Sequence, residues 1–498
     1  MPGSTITWAD SQKLRLMLTS DKPNEDLMKE HLLQLRCHFT WGLQIDHTEI
    51  LDLENRVFDQ IEFLHVQNNA RMYNLLAYVK HLAGRNQEAL ETLKEAEDFL
   101  LQEFADQSDV RGLVTWGNYA WLYHHMGRLG EAQTYLDKVE KTCKKLESPF
   151  RYRMECPELN SEEGWALLKC GQNNYERAKV CFQKALEVDP ESPEFSVGYA
   201  IVTYRLNNIK SVESINSLYP LEQAIRLNPE NEYVKVLLAL CLQDLGREDE
   251  GEKYIEEALA SKISHTYILR YAAKFHRRKG SLDKALQLLK KALKDTPSSA
   301  LVHHQLALCY KAQISQNKKV THWQPRGQNR ENIERLARLA IDHLECALKH
   351  KPTFVIAYLT LAEIYIEVRE HSKAEDIYQK VFGMKSLTEE DLQQLHLHYG
   401  KFQEFQRKSE VDAIVHYLKV VKIEKPSFSR EKSISALEKC ALKKLRKNKL
   451  DVEGLTLLGF AQKQRGEITK ALESYERALE LAAGQETSVG HELKGPKP

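Results

Sequence analysis

The chain has 498 residues, and its 71 Lys+Arg balance 71 Asp+Glu to a formal charge of zero. That balance excludes a histone-like or disordered polybasic chain, and a 42% hydrophobic content is enough to build cores. With only 22 Gly and 14 Pro the chain is too poor in turn residues for a β-sandwich or barrel, and it leans α-helical.

Length alone suggests about three domains, unless the chain is a repeat array without true domain walls. Residues 1–8 carry no basic segment followed by an apolar stretch, so no secretory signal is expected. The most apolar run, 234–242, includes Lys235 and falls far short of the ~20 residues a membrane span needs. Cys37, Cys143, Cys156, Cys170, Cys181, Cys241, Cys309, Cys346 and Cys440 are odd in number, scattered, and never form a CxxC. Disulfide scaffolds and zinc sites want tighter spacing, so these read as reduced core thiols of a cytoplasmic protein.

From about Met72 onward the chain repeats itself. Ala224, Ala258 and Ala292 stand 34 residues apart in the related phrases LEQAIRLNP, YIEEALAS and LLKKALKDTP. That period belongs to the tetratricopeptide repeat, a helix–turn–helix unit. A small residue stands where paired helices approach closely: Ala77, Ala120, Ala166, Ala200, Ala239, Ala273, Ala307, Ala362, Gly400 and Gly459. In most units a second follows twelve residues on, at Ala89, Ala132, Ala178, Gly251, Ala285, Ala374 and Ala471. Gly84, Gly127, Gly246, Gly280 and Gly466 mark the turn inside the pair. Pro190, Pro229, Pro297 and Pro352 close units, because proline cannot continue a helix.

These marks predict an all-α tetratricopeptide-repeat superhelix of about ten units between residues 72 and 481. Interruptions are expected at 207–218 and at 314–331, where QNKKVTHWQPRGQNRE reads as a polar loop or a helix extension. Residues before 21 and after 483 look weakly ordered.

No enzymatic constellation stands out: GxxxxGK[ST], GxGxxG, HExxH and GxSxG are all absent. His124-His125, His303-His304 and the pair His396 and His398 are too close along a helix for their rings to converge on a metal. The chain therefore reads as non-enzymatic, with no cofactor or metal required.

The groove is more informative. With the small residue as position eight, the first helix of each unit lines the concave side through positions two, five, nine, twelve and thirteen. The unit around Ala273 then turns Tyr267, Arg270, Lys274, Arg277 and Arg278 inward. The unit around Ala200 adds Glu194, Ile201, Tyr204 and Arg205, that around Ala239 adds Tyr233, and that around Ala307 adds His304 and Lys311. Cations interleaved with aromatics on a basic groove suit single-stranded nucleic acid. A solvated cationic face is the plainer reading of RYAAKFHRRKG, and a scaffold that binds acidic peptide segments is the alternative function. KCALKKLRKNK at 439–449 reads as a solvated helix face, or as extra phosphate contacts farther along a bound strand.

Longer phrases carry a more specific signal. CHFTW (37–41), NLLAYVKHL (74–82), LVTWGNYAW (113–121), HMGRLGEAQTYLDKVE (125–140), RYRMECPE (151–158), EEGWALLKCG (162–171), GEKYIEEAL (251–259), RYAAKFHRRKGS (270–281) and HYGKFQEFQRKS (398–409) resemble the interferon-induced proteins with tetratricopeptide repeats. The resemblance runs from about residue 32 to 483. It implies a cytosolic antiviral RNA binder whose helices wrap a basic tunnel. The tunnel takes the 5′ end of single-stranded RNA without reading sequence, preferring a cap that lacks 2′-O-methylation and accepting a 5′-triphosphate more weakly, and so withholds viral messages from translation.

Carried over by that resemblance, Trp165 matches the tryptophan that stacks on the cap guanine. The chemistry is apt, since 7-methylguanine is cationic and indole is the best π face for a cation. The same indole would also serve simply to pack helices. Leu64, Ile201, Glu194 and Asn231 match positions around the cap pocket. Arg56, Gln60, Lys169, Tyr175, Arg205, Arg270, His304 and Gln305 match phosphate and ribose contacts, and Lys274 joins them from the repeat register. Where the family often has Thr, this chain has Val66, a departure that could cost one polar contact of about 1 kcal/mol. Tyr475 and Leu479 fit a YxxxL self-association motif on one helix face.

The implied partners are RNA 5′ ends, the chain itself or other family members, and the translation initiation machinery, with no membrane and no DNA. The expected organisation is a variable extension at 1–31, an N-terminal repeat subdomain with the cap pocket at 32–225 and central repeats with the basic groove at 226–385. C-terminal repeats with the association motif follow at 386–482, and a disordered tail at 483–498.

Overall fold

The computed structural model of this chain describes residues 25–45, 50–63, 69–103, 108–210, 215–260, 266–385 and 387–492. All regular elements among them are helical. The small residues of the repeat register are why. Ala77, Ala120, Ala166, Ala200, Ala239, Ala273, Ala307 and Ala362 are all buried, as are Ala89, Ala132, Ala178, Ala285, Ala374 and Ala471. Glycine takes the same seat where a larger side chain faces it: a Cβ at Gly400 would stand 2.7 Å from the Tyr417 ring. Within a pair the turn needs a left-handed residue, which Gly127 (φ 72°) and Gly246 (φ 76°) supply.

The chain divides into two compact units. The first comprises residues 1–208, 213–278 and 291–297, and the second 209–212, 279–290 and 298–498. The boundary thus falls inside the stretch 226–385 that the sequence suggests as one central block. In the first unit, Asn69–Leu82 packs on Asn86–Glu103, Ser108–His125 on Leu129–Lys145, Pro157–Lys169 on Tyr175–Val188, and Glu232–Asp244 on Glu248–Ala260. In the second, Ala300–Val320 packs on Gln328–His350, Val355–Glu367 on His371–Phe382, and Glu389–Phe402 on Glu410–Lys422. The prolines act as stops: Tyr175–Val188, Ile215–Leu227, Leu282–Asp295 and Gln328–His350 each end two residues before Pro190, Pro229, Pro297 and Pro352.

Two local expectations, the extent of the N-terminal extension and the C-terminal tail, are corrected, and two are refined. Met28 and Leu32 sit in the core with Trp41, Leu113 and Tyr152, so the extension gives way to packed structure before residue 31. Much of 314–331 is helix extension, since Ala300–Val320 and Gln328–His350 leave only 321–327 between them. At the other interruption, Pro193–Lys210 runs helical through Asn207 and the next helix starts at Ile215. The last helix, Ile468–Glu492, runs well beyond Ala483, where a disordered tail was expected. That run contains no proline, and its two glycines are a modest cost rather than a stop.

All nine cysteines are free thiols, six buried and three half-buried. No helix among the described residues is long and apolar enough to cross a membrane.

Phe182, fully buried, wedges between two helices that both yield a glycine to it. A Cβ at Gly164 would stand 3.0 Å from the ring, and one at Gly198 only 2.2 Å. Gly198→Ala should therefore cost about 1–3 kcal/mol of stability, read as a lower urea midpoint at unchanged m-value. An unchanged midpoint would mean that the Phe182 ring has room to move.

Candidate nucleic-acid interface

Around Phe182 the first unit gathers most of the residues singled out above. Trp165 stands edge-on to it, ring centres 5.5 Å apart. Over the same indole lie Arg71 at 5.6 Å and Lys169 at 5.9 Å. The indole Nε1 is buried without a hydrogen-bond partner, so this half-buried ring offers a π face rather than a donor.

Glu194 opens helix Pro193–Lys210 and serves as the local counter-charge. Its Oε1 accepts from Arg71 and, at 2.8 Å, from the Ser161 hydroxyl, while Oε2 accepts from Arg111 at 3.3 Å. Burial works against its ionised form, yet the two guanidiniums prevail and hold the carboxyl at about 2. The neighbouring Glu162, bonded by Asn74 at 3.2 Å, goes the other way. Burial lifts it to about 7 in spite of the Arg71 and Arg111 charges.

Three turns along that helix, Arg205 reaches three oxygens: the Leu168 carbonyl and the Tyr175 hydroxyl at 3.4 Å each, and the Tyr233 hydroxyl at 3.3 Å. Tyr233 meets Tyr271 at 5.6 Å, and Arg270 lies 4.4 Å over the Tyr271 ring and 5.5 Å from Tyr267. Arg56 is tied to Asp52 at 2.9 Å and to the Lys169 carbonyl at 3.4 Å. Burial, then Arg205, Arg56 and Arg71, push the Lys169 ammonium down to about 7. Burial and Arg278 bring Lys274 down to about 8. The site thus holds cations against aromatic rings and one another, an arrangement that a polyanion relieves.

Some expected residues play other parts. Ile201 is buried as expected of a pocket wall. Asn231 caps helix Glu232–Asp244, its Oδ1 accepting from the Val234 N–H at 3.0 Å. Arg278, turned inward by the register, is neutralised by Asp244 at 2.7 Å. Lys311 pairs with Glu363. His304 and Gln305 lie on helix Ala300–Val320 of the second unit, where His304 is buried, shares a hydrogen bond with Thr360 at 3.0 Å and packs edge-on to Phe354. The Gln60 side chain, Leu64 and Val66 lie outside the described residues. Tyr475 packs its ring on Gly459, whereas Leu479 is 70% exposed, as Leu472 largely is two turns before.

Arg71, Arg111, Glu162 and Tyr271 were not singled out from sequence. Counting back from Ala77 would have found Arg71, which falls at the second position, the same one that Glu194 and Tyr233 occupy in their units.

The fold and this site define a helical repeat protein with cations and aromatic rings gathered in one unit, a combination suited to nucleic acid. The tetratricopeptide repeat profile matches residues 113–145, 171–192 and 452–485, and that of the Psidin N-terminal TPR repeats region matches 206–321. The chain is 61% identical over 473 residues to the human antiviral innate immune response effector IFIT1, covering 94% of this chain and 99% of that one. A human IFIT1 dimer with m7Gppp-AAAA superposes with TM-score 0.83 at 62% identity, over 91% of this chain and 99% of that one. A human IFIT1 dimer with PPP-AAAA gives 0.80 at 60% identity, over 92% and 100%. The chain belongs to the family of interferon-induced proteins with tetratricopeptide repeats.

Replacing Glu194 by Gln removes the carboxylate that two buried guanidiniums share and should cost about 3 kcal/mol of stability. The carboxyl is held below its ordinary 4.5, so its contribution is present at neutral pH and lost as pH falls through 4 toward 2. Chemical melts from pH 7 to pH 3 should show that loss in wild type and a flatter profile in Glu194→Gln. Parallel profiles would mean that the carboxylate does not hold the cluster.

Proposed function

We propose that this chain is a non-enzymatic, cytosolic antiviral protein that captures the 5′ end of single-stranded RNA and withholds it from translation. The observation that carries the reading is the run of Trp165, Lys169, Arg205, Tyr233, Tyr271 and Arg270 in one unit, with cations laid on or beside aromatic rings. Phosphates meet a site whose cations outnumber the carboxylates that receive them, and bases find π faces that carry no sequence code. The human IFIT1 complexes with m7Gppp-AAAA and PPP-AAAA support both kinds of end as ligands.

Tyr175 and Arg205, which share a hydrogen bond, are the groups to read the first ribose. A 2′-hydroxyl both donates and accepts, while a 2′-O-methyl removes the donor and adds bulk. Self-association through the exposed Leu472 and Leu479 is part of the same proposal, in keeping with the dimers of the human relative.

The test is the affinity of purified protein for short RNAs ending in a cap, a triphosphate or a monophosphate, at one fixed salt concentration. Arg270→Glu should weaken every end, because a phosphate would meet a like charge. Trp165→Ala should cost capped RNA roughly 1–3 kcal/mol more than triphosphate RNA, since only the cap brings an extra base to stack. Equal losses would make Trp165 a helix-packing residue, and wild-type preference for acidic peptide over RNA would replace the reading with a peptide scaffold.

A further inference from the structure

Arg71 is placed oddly for a cation. It lies in the first turn of helix Asn69–Leu82, which has no acidic residue there, and the helix dipole disfavours positive charge at that end. It is nonetheless only 7% exposed. Its Nη2 donates to Glu194, an acceptor it shares with Arg111, while its Nε is buried without an acceptor. Beyond the carboxyls of Glu194 and Glu162, it lies against the indole of Trp165, 5.6 Å away, with Lys169 drawn to the same ring. The guanidinium thus stands on the π platform where a cationic base would lie.

We infer that Arg71 is a specificity-determining residue that occupies the Trp165 platform and biases the site toward an anionic triphosphate end over a positively charged 7-methylguanine. The inference rests on the proposed RNA-end function and goes beyond it. Two cations compete for one desolvated ring and one shared carboxylate, so a methylated cap base must displace the guanidinium before stacking. A neutral guanine is not repelled and can slide between ring and guanidinium, since both are flat faces. A triphosphate gains from the charge where it is. Removing the charge while leaving Arg111 on Glu194 should therefore turn the site toward the methylated cap.

The experiment compares wild type, Arg71→Met and Arg71→Gln in binding to fluorescent single-stranded RNAs ending in m7Gppp, Gppp or PPP at one salt concentration. Met keeps the length without the charge, and Gln keeps a donor for Glu194. For both variants the expected result is about a tenfold gain in m7Gppp-RNA affinity relative to Gppp-RNA, with PPP-RNA weakened about threefold. A merely structural role would lower all three affinities together and leave the methylated-to-unmethylated ratio alone. That outcome in either variant, with cooperative thermal unfolding like wild type, overturns the assignment of Arg71. Failure of wild type to bind any of the three RNAs overturns instead the RNA-end reading beneath it.

Discussion

The geometry of the site depends on how closely two helices approach around one ring. Phe182 comes from helix Tyr175–Val188 and fills the space between Pro157–Lys169 and Pro193–Lys210, each of which offers it a glycine. Gly164 immediately precedes Trp165, and Gly198 lies between Glu194 and Ile201. The seating of one aromatic side chain therefore sets where the indole, the counter-charge and Arg205 stand. Two hydrogen bonds cross the same gap, from Ser161 to Glu194 and from Arg205 to the Leu168 carbonyl, and they lock the register that the packing establishes.

Electrostatics then decides what such a scaffold can hold. The chain is neutral overall, yet in this unit lysines and arginines are taken out of water with few carboxylates to receive them. Burial penalises charge unless partners offset it, and here the partners are largely ring faces and tyrosine hydroxyls. Lys169 and Lys274, held down near 7 and 8, record the cost. A phosphate bound as proposed would favour the charged ammonium.

How much of this was legible in the sequence varies with the physics behind each feature. The repeat was plain, because small residues at a 34-residue period answer to backbone approach, a constraint every unit obeys, and the buried alanines agree with it. The register also turns Glu194, Arg205, Arg270 and Tyr233 toward the groove, and in the structure contacts run from Arg205 through Tyr233 and Tyr271 to Arg270. It does not reveal the charge that Arg278 meets, because Asp244 lies on a neighbouring helix about a repeat away. Trp165 stands one residue before the small position, outside the groove register, so only the family resemblance marked it. Asn231 matches a pocket position by resemblance, but its place just before an apolar run is equally an N-cap signal, and it does cap the helix. Arg71 was within reach of the counting rule. Its contact with Trp165 was not, because the two come from separate repeats and no spacing rule links them.

Photocrosslinking tests the central claim most directly. A 5′-triphosphate RNA carrying 4-thiouridine as its first nucleotide would be irradiated with the full-length protein, and the linked peptides mapped by mass spectrometry. The account predicts crosslinks within Tyr175–Val188, Pro193–Lys210 and Glu232–Asp244, competed away by unlabelled triphosphate RNA and untouched by excess acidic peptide. Crosslinks confined to the basic stretch at 439–449, or lost to the acidic peptide, would contradict it.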